Sequence, residues 1–264
     1  MNVRFGFSPC PNDTFAFDAL VHGRIAAPFT VTPALHDIEE LNALARRGRY
    51  ELTKLSIGAL AGVRDRYTLL RSGGALGHGC GPLVVAREAA SLADAALGRL
   101  AIPGWDTTAF LLLRLAAPAL GEVVELRYDE ILDAVASGKV DAGLIIHESR
   151  FTYAQHGLVQ VADLGAWWED ETGMPVPLAG ICARTDLDAE VRATLEDALR
   201  RSVEHAFAHP ADSLEYVRAH SQELSDEICR QHIDLYVNEF TRDLGDDGVA
   251  AIDALLARAA GSPA

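Results

Sequence analysis

The chain has 264 residues, 49% of them hydrophobic and 23% charged, enough to build one large domain or two modest lobes around a real core. Its 38 acidic against 23 basic side chains leave a formal charge of −15. That balance excludes a broad basic face for nucleic acid or an anionic membrane, while a small anion held by local donors stays open.

Residues 1–7 enter directly a strand-like alternation of Val3, Phe5 and Phe7 with Arg4 and Gly6, with no basic-then-apolar export pattern. A turn over residues 8–13 follows, and Asn12 or Asp13 offers a cap for a helix that runs to Gly23. A second strand is expected over residues 29–35. The next helix opens at Asp37 with Glu40 three residues on, carries Ile38, Leu41 and Ala45 on one stripe, and stops at Gly48. Residues 51–55 read as a strand feeding Ser56 and a helix to about Val63. Residues 67–71 and 83–87 read as strands flanking a glycine-rich loop at 72–77.

Strand 100–102, helix 107–116, strand 123–127 and helix 129–137 come next, the last stopped by Gly138. Residues 140–146 form an apolar strand of the kind buried on both faces. Residues 175–183 read as extended. Beyond them the chain is helical, with Val191, Leu195, Leu199 and Val203 on one stripe until His209-Pro210 breaks it. Ser225 offers a cap for a last helix carrying Ile228, Leu235 and Phe240. No apolar run approaches the roughly 20 residues needed to cross a bilayer.

Alternating strands and helices imply an α/β fold with mainly parallel sheets. The order of segments predicts two lobes. Residues 1–86 and 180–264 make the outer lobe with the C-terminal helices, and residues 87–179 make an inserted α/β lobe. The ligand cleft then lies between them, outside the C-terminal ends of the strands.

Polar residues gather at those strand ends. Ser8 closes the first strand, Thr53, Lys54, Leu55 and Ser56 close the third, Thr107 and Thr108 open a helix, and His147 ends the most apolar strand. Helix starts with hydroxyl side chains are ready anion sites, although each residue taken singly is more often an ordinary cap. His147 suits a general base, since a free imidazole titrates near 6.5; a histidine bonded to a backbone carbonyl is an equally good reading. Strand alternation turns Glu148 to solvent.

Lys54 reads as a solvated charge more readily than as a carboxylate partner, and Asn12 and Asp13 as caps. Cys10, between two prolines, has no local activator and reads as inert. Trp105 packs or walls a ligand, and Trp167-Trp168 buries a lobe surface. His205 and His209 have chelating spacing but sit at a helix end before Pro210. Four scattered cysteines form no Cys-x-x-Cys pair. Residues 72–77 lack the Gly-Lys-Ser/Thr of a P-loop, and no Gly-x-Gly-x-x-Gly occurs. No metal, nucleotide or redox cofactor is expected.

Several stretches together resemble the 1,4-dihydroxy-6-naphthoate synthase family of the futalosine route to menaquinone. They are GFSPCPNDTF at 6–15, LTKLS at 52–56, LRSGGALG at 70–77, GLIIHESRFTY at 143–153 and DLGAWW at 163–168; the likeness includes Thr107 and Thr108 and extends into 224–227 and 236–238, so it covers nearly the whole chain. The resemblance implies a periplasmic-binding-protein type II fold used in the cytoplasm. It implies a cofactor-independent lyase that converts cyclic dehypoxanthine futalosine to 1,4-dihydroxy-6-naphthoate with loss of a sugar-derived fragment. It places the base on His147 and substrate contacts on residues 53–56 and on Thr107 and Thr108. Ser8 and Asn12 join this set by their place at the first strand end.

The expected partner is a small anionic substrate, with neither nucleic acid nor membrane, and a homodimer is compatible with the reading. Two other readings compete: a solute-binding receptor on the same fold, and the sister activity chorismate dehydratase.

Overall fold

The computed structural model describes residues 1–221 and 225–261; Leu224, one of the residues carrying the family resemblance, lies outside them. Strand β1 (Asn2–Phe7) forms where every second residue is apolar, and Val3, Phe5 and Phe7 are wholly buried. Strands β2 (Thr30–Leu35), β3 (Leu52–Ser56), β4 (Tyr67–Leu69) and β5 (Ala75–Gly77) follow. Next come β6 (Leu83–Ala86), β7 (Leu100–Ile102), β8 (Val123–Glu125), β9 (Ala142–Ile145) and β10 (Val159–Asp163). The last strand is β11 (Val176–Arg184).

They make two sheets. The first runs β2-β1-β3-β11-β4, with β5 beside β11, and the second runs β10-β6-β9-β7-β8. β1 pairs parallel with β2 and β3, and β7 pairs parallel with β8 and β9. The remaining pairings are antiparallel. The sheets are therefore mixed, where mainly parallel ones were expected. The reason is that β6 and β11 carry the chain between lobes and enter their sheets against the strands of the βα units. β6 also pairs in the second sheet, not in the outer block, and β11 lies wholly in the first. The glycine-rich loop contributes a short strand, β5, and β10 with the helix Leu164–Thr172 were not anticipated.

The first core stacks Phe5, Phe7 and Phe17, with ring centroids 4.8 to 5.5 Å apart, against Leu195, Leu199 and Val203 of helix Ala189–Ala208. Trp168 is fully buried, as its apolar neighbourhood predicts, and donates its indole N–H to Pro175 O at 3.0 Å. Helix Asp226–Tyr236 packs beside helix Pro11–Val21. That docking carries residues from the end of the chain into the cleft. Among the described residues no helix is long and apolar enough to cross a membrane.

Candidate active site

One cavity of about 580 Å³, counting its open mouth, lies between the sheets. From the first lobe it is lined by Asn12, Ile38, Lys54, Ser56, Leu178 and Ala179, and from the second by Thr107, Thr108, Ala109, Ile146 and His147. His232 and Tyr236 reach it from the helix Asp226–Tyr236. The period of two along β3 decides which of its residues arrive: Lys54 and Ser56 face the cavity, while Thr53 and Leu55 are buried behind it. Ser8 does not line the cavity; it acts one step back, on Asp13.

Asn12 and Asp13 are not the caps that were expected. Helix Pro11–Val21 starts with Pro11 at its first position and Cys10 as a cap without side-chain bonding. Asp13 instead accepts from the Ser8 backbone N–H and hydroxyl on Oδ2, at 3.0 and 2.7 Å. Its Oδ1 accepts from Asn12 Nδ2 at 2.9 Å and from Lys54 Nζ at 2.5 Å. Lys54 is thus a buried partner of Asp13, 3% exposed, where a solvated charge was expected.

Thr107 caps the helix Thr108–Ala116: its hydroxyl accepts from Phe110 N–H at 3.2 Å and donates to Gly104 O at 2.8 Å. Thr108 Oγ1 donates to Leu178 O at 2.5 Å and accepts from Gly58 N–H at 3.0 Å, tying the lobes together. Both hydroxyls are therefore engaged within the protein. The donors that a helix start leaves over are the backbone N–H groups of its first turn, here those of Thr108 and Ala109. Trp105 is 52% exposed and packs its ring edge-on to Phe110.

His147 ends the β9 segment with a φ of +56°, the only non-glycine with positive φ among the described residues. That backbone state costs of order 1 kcal/mol and breaks the strand alternation. Its consequence is that Glu148 turns inward and is 7% exposed, where a solvent-facing residue was expected. The His147 ring meets Tyr128 edge-on at 4.9 Å, and its Nδ1 lies 3.3 Å from Cys10 Sγ. Burial and the Lys54 charge depress the imidazole to about 3, so it is neutral at physiological pH. Burial, with Glu148 beside it, drives the Cys10 thiol well up. Cys10, read as lacking a local activator, finds its partner 137 positions away.

Three further residues were missed. Asn42, 1% exposed, donates to Ser56 Oγ at 3.1 Å and Glu39 Oε2 at 3.0 Å, and accepts from Ser56 N–H. A polar residue beside the Ile38, Leu41 and Ala45 stripe was its signal. His232 and Tyr236 are buried on one helix face with Cys229, the i, i+3, i+7 pattern of a packed face. Cys10, His147 and Glu148 also place ligand-type atoms within 4.8 Å of one another, a set that a soft divalent metal can use.

A mixed α/β chain with two sheets, a cleft between them and functional groups at the strand ends is a periplasmic-binding-protein-like fold. An alkanesulfonate-binding protein from Xanthomonas axonopodis superposes with a TM-score of 0.72 at 16% identity, covering 100% of this chain and 94% of that one. That likeness concerns the fold. A protein from Archaeoglobus fulgidus superposes with a TM-score of 0.93 at 37% identity, over 98% of this chain and 97% of that chain.

A family profile described as menaquinone biosynthesis matches residues 3–261. Two curated relatives are both named 1,4-dihydroxy-6-naphthoate synthase. The one from Thermus thermophilus is 56% identical over 97% of this chain and 93% of its own length. The one from Streptomyces coelicolor is 49% identical over 98% of this chain and 93% of its own length. The chain belongs to this menaquinone-biosynthesis family of enzymes.

Proposed function

We propose that the protein acts in the cytoplasm as a 1,4-dihydroxy-6-naphthoate synthase, splitting cyclic dehypoxanthine futalosine without a cofactor. The observation that carries this reading is His147, a neutral imidazole held at the mouth of β9 inside a cavity that also offers free helix-start N–H groups. A base must be unprotonated at working pH, and burial with Lys54 nearby supplies that state. With Nδ1 turned to Cys10, Nε2 is the ring nitrogen left to take the substrate proton.

The substrate carboxylate fits the start of the helix Thr108–Ala116, where the Thr108 and Ala109 N–H groups and the helix dipole favour an anion. Lys54 is occupied by Asp13 and neutralises the site without being the main anchor. Ser56 and Asn42 supply directional polar contacts on the opposite wall. Cleavage of the C–C bond is then drawn forward by aromatisation of the ring that remains, and a closed cleft keeps water away from the intermediate.

The test is incubation of the purified protein with cyclic dehypoxanthine futalosine and, in parallel, with chorismate, followed by mass spectrometry. Naphthoate from the first alone is the expected result. Binding without turnover would return the receptor reading, and turnover of chorismate the dehydratase reading.

A further inference from the structure

We propose that Glu39 is a positioning residue: through Asn42 it turns the Ser56 hydroxyl into the cavity as a hydrogen-bond donor for the substrate carboxylate. The carboxylate as ligand rests on the lyase reading above. The direction of the hydroxyl follows from the hydrogen bonds of this chain alone.

The argument begins at the Ser56 backbone N–H, which only donates. It meets Asn42 Oδ1 at 3.0 Å, so the amide oxygen of Asn42 lies on that side and the amide nitrogen on the other. That Nδ2 carries two hydrogens and has two neighbours, Glu39 Oε2 at 3.0 Å and Ser56 Oγ at 3.1 Å. Ser56 Oγ is therefore the acceptor toward Asn42, and its own hydrogen is left over. Ser56 precedes the short helix Ile57–Leu60, yet its side chain makes no cap bond there. No acceptor among the described residues takes that hydrogen. Ser56 is 3% exposed and lines the cavity, so the cavity is where the O–H finds its acceptor.

Glu39 is itself held by the other lobe. Its Oε1 accepts from Asp106 N–H at 3.0 Å, in the turn between β7 and the helix Thr108–Ala116. Gly104 makes room for it, because a Cβ at that position would overlap the Glu39 carboxyl carbon. Arg46, at the end of Glu39's own helix Ile38–Ala45, pairs with the Asp106 carboxylate. Gly58, two residues past Ser56, donates to Thr108 Oγ1 at 3.0 Å, which sets Ser56 beside the same helix start. The Ser56 O–H from one lobe and the Thr108 and Ala109 N–H groups from the other thus converge on one anion. A carboxylate, with two oxygens and no hydrogen to give, suits donors arriving from two sides.

Replacing Glu39 by glutamine exposes why a carboxylate is needed there. Both neighbours of Glu39 are N–H donors, and a carboxylate accepts from both, whereas a glutamine has one oxygen and one NH2. With its oxygen kept on Asp106 N–H, the new nitrogen faces Asn42 Nδ2, donor against donor. Rotating the Asn42 amide relieves that conflict but turns Nδ2 toward the Ser56 N–H. It also brings Oδ1 to Ser56 Oγ, so the hydroxyl donates to Asn42 and no longer to the cavity. With the new amide reversed, its nitrogen faces Asp106 N–H, and the contact that draws Ser56 to the helix start is lost.

A double-mutant cycle tests the proposal, with affinity for 1,4-dihydroxy-6-naphthoate read by isothermal titration for each protein. Glu39→Gln should weaken binding about 10-fold and Ser56→Ala about as much, the scale of one hydrogen bond to a charged group. In the Ser56→Ala background, Glu39→Gln should cost no more than about 2-fold, because the hydroxyl it orients is gone. In steady-state kinetics Glu39→Gln should raise KM by a similar factor and leave kcat within about 3-fold, since His147 is untouched. Equal losses of affinity from Glu39→Gln in both backgrounds would overturn the proposal, because Glu39 would then act on the fold and not through Ser56. Wild-type affinity in either single variant would overturn it too, as would a wild type that binds no naphthoate. Naphthoate binding without turnover of cyclic dehypoxanthine futalosine would sink the lyase reading alone, and the cycle would still judge the direction of the Ser56 hydroxyl.

Discussion

Cys10 Sγ and His147 Nδ1 lie 3.3 Å apart, so the first helix of one lobe orients the ring that ends a strand of the other. Because the thiol is held neutral, its service to His147 is directional. Cys10→Ala should lower kcat about 3- to 10-fold with KM little changed, the usual scale of one lost neutral hydrogen bond. Cys10→Ser should recover most of the rate. Equal kinetics in wild type and Cys10→Ala would show that the ring is held by Tyr128 packing alone.

Two neutral histidines, His147 half-buried at the cavity and His232 buried, make stability depend on pH. His147 titrates at about 3 in the fold and near 6.5 once unfolded. Between those values the unfolded chain binds more protons. The contribution is therefore fully present above about pH 6.5 and is lost progressively as pH falls toward about 3. His232, lowered in the same direction by burial, adds to the trend. Thermal melts from pH 7.5 to 4.5 should show a falling Tm, with a shallower slope in His147→Asn. Parallel slopes in the two proteins would assign the trend to other groups.

Lys54 is the base of a buried pair, with side-chain exposures of 4% for Lys54 and 3% for Asp13. Lys54→Met should therefore act first on stability, costing about 3–5 kcal/mol because the Asp13 charge is left uncompensated. Lys54→Met with Asp13→Asn should regain part of that loss. Chemical denaturation of the single and double variants measures both. A fully stable Lys54→Met with only a raised KM would show that the ammonium serves the substrate and not the fold.

Thr108 bridges Gly58 of the first lobe and Leu178 of β11 through one hydroxyl. Thr108→Val keeps the volume but leaves a buried carbonyl and N–H unpaired. The expected cost is about 1–3 kcal/mol in unfolding free energy. Binding of 1,4-dihydroxy-6-naphthoate, if it uses the backbone N–H groups of that helix start, should weaken far less than stability does. Isothermal titration beside denaturation separates the two effects; a loss of binding exceeding the loss of stability would return the hydroxyl as a ligand donor.

Local patterning made much of this protein legible. The alternation in β1, the cap and stop residues around the helices, and the apolar run leading to His147 are short-range signals, and they placed Ser56, Thr107, Thr108 and His147 at strand or helix ends. Those ends do meet in one cavity. What local patterning misjudged was side-chain direction. Glu148 turns inward because the positive φ of His147 interrupts the strand period, and Lys54 is buried because Asp13, 41 positions away, gives it a partner. Strand polarity followed the same logic, since β6 and β11 run against their neighbours only because each crosses between lobes. His232 and Asn42 stayed hidden as functional groups for a related reason. A histidine or asparagine on a packed helix face has the same sequence signature whether it meets apolar neighbours or a reactive cleft. Hydrogen bonds spanning 137 and 220 positions are decided by how helices dock, and no period of two or 3.6 residues encodes that docking.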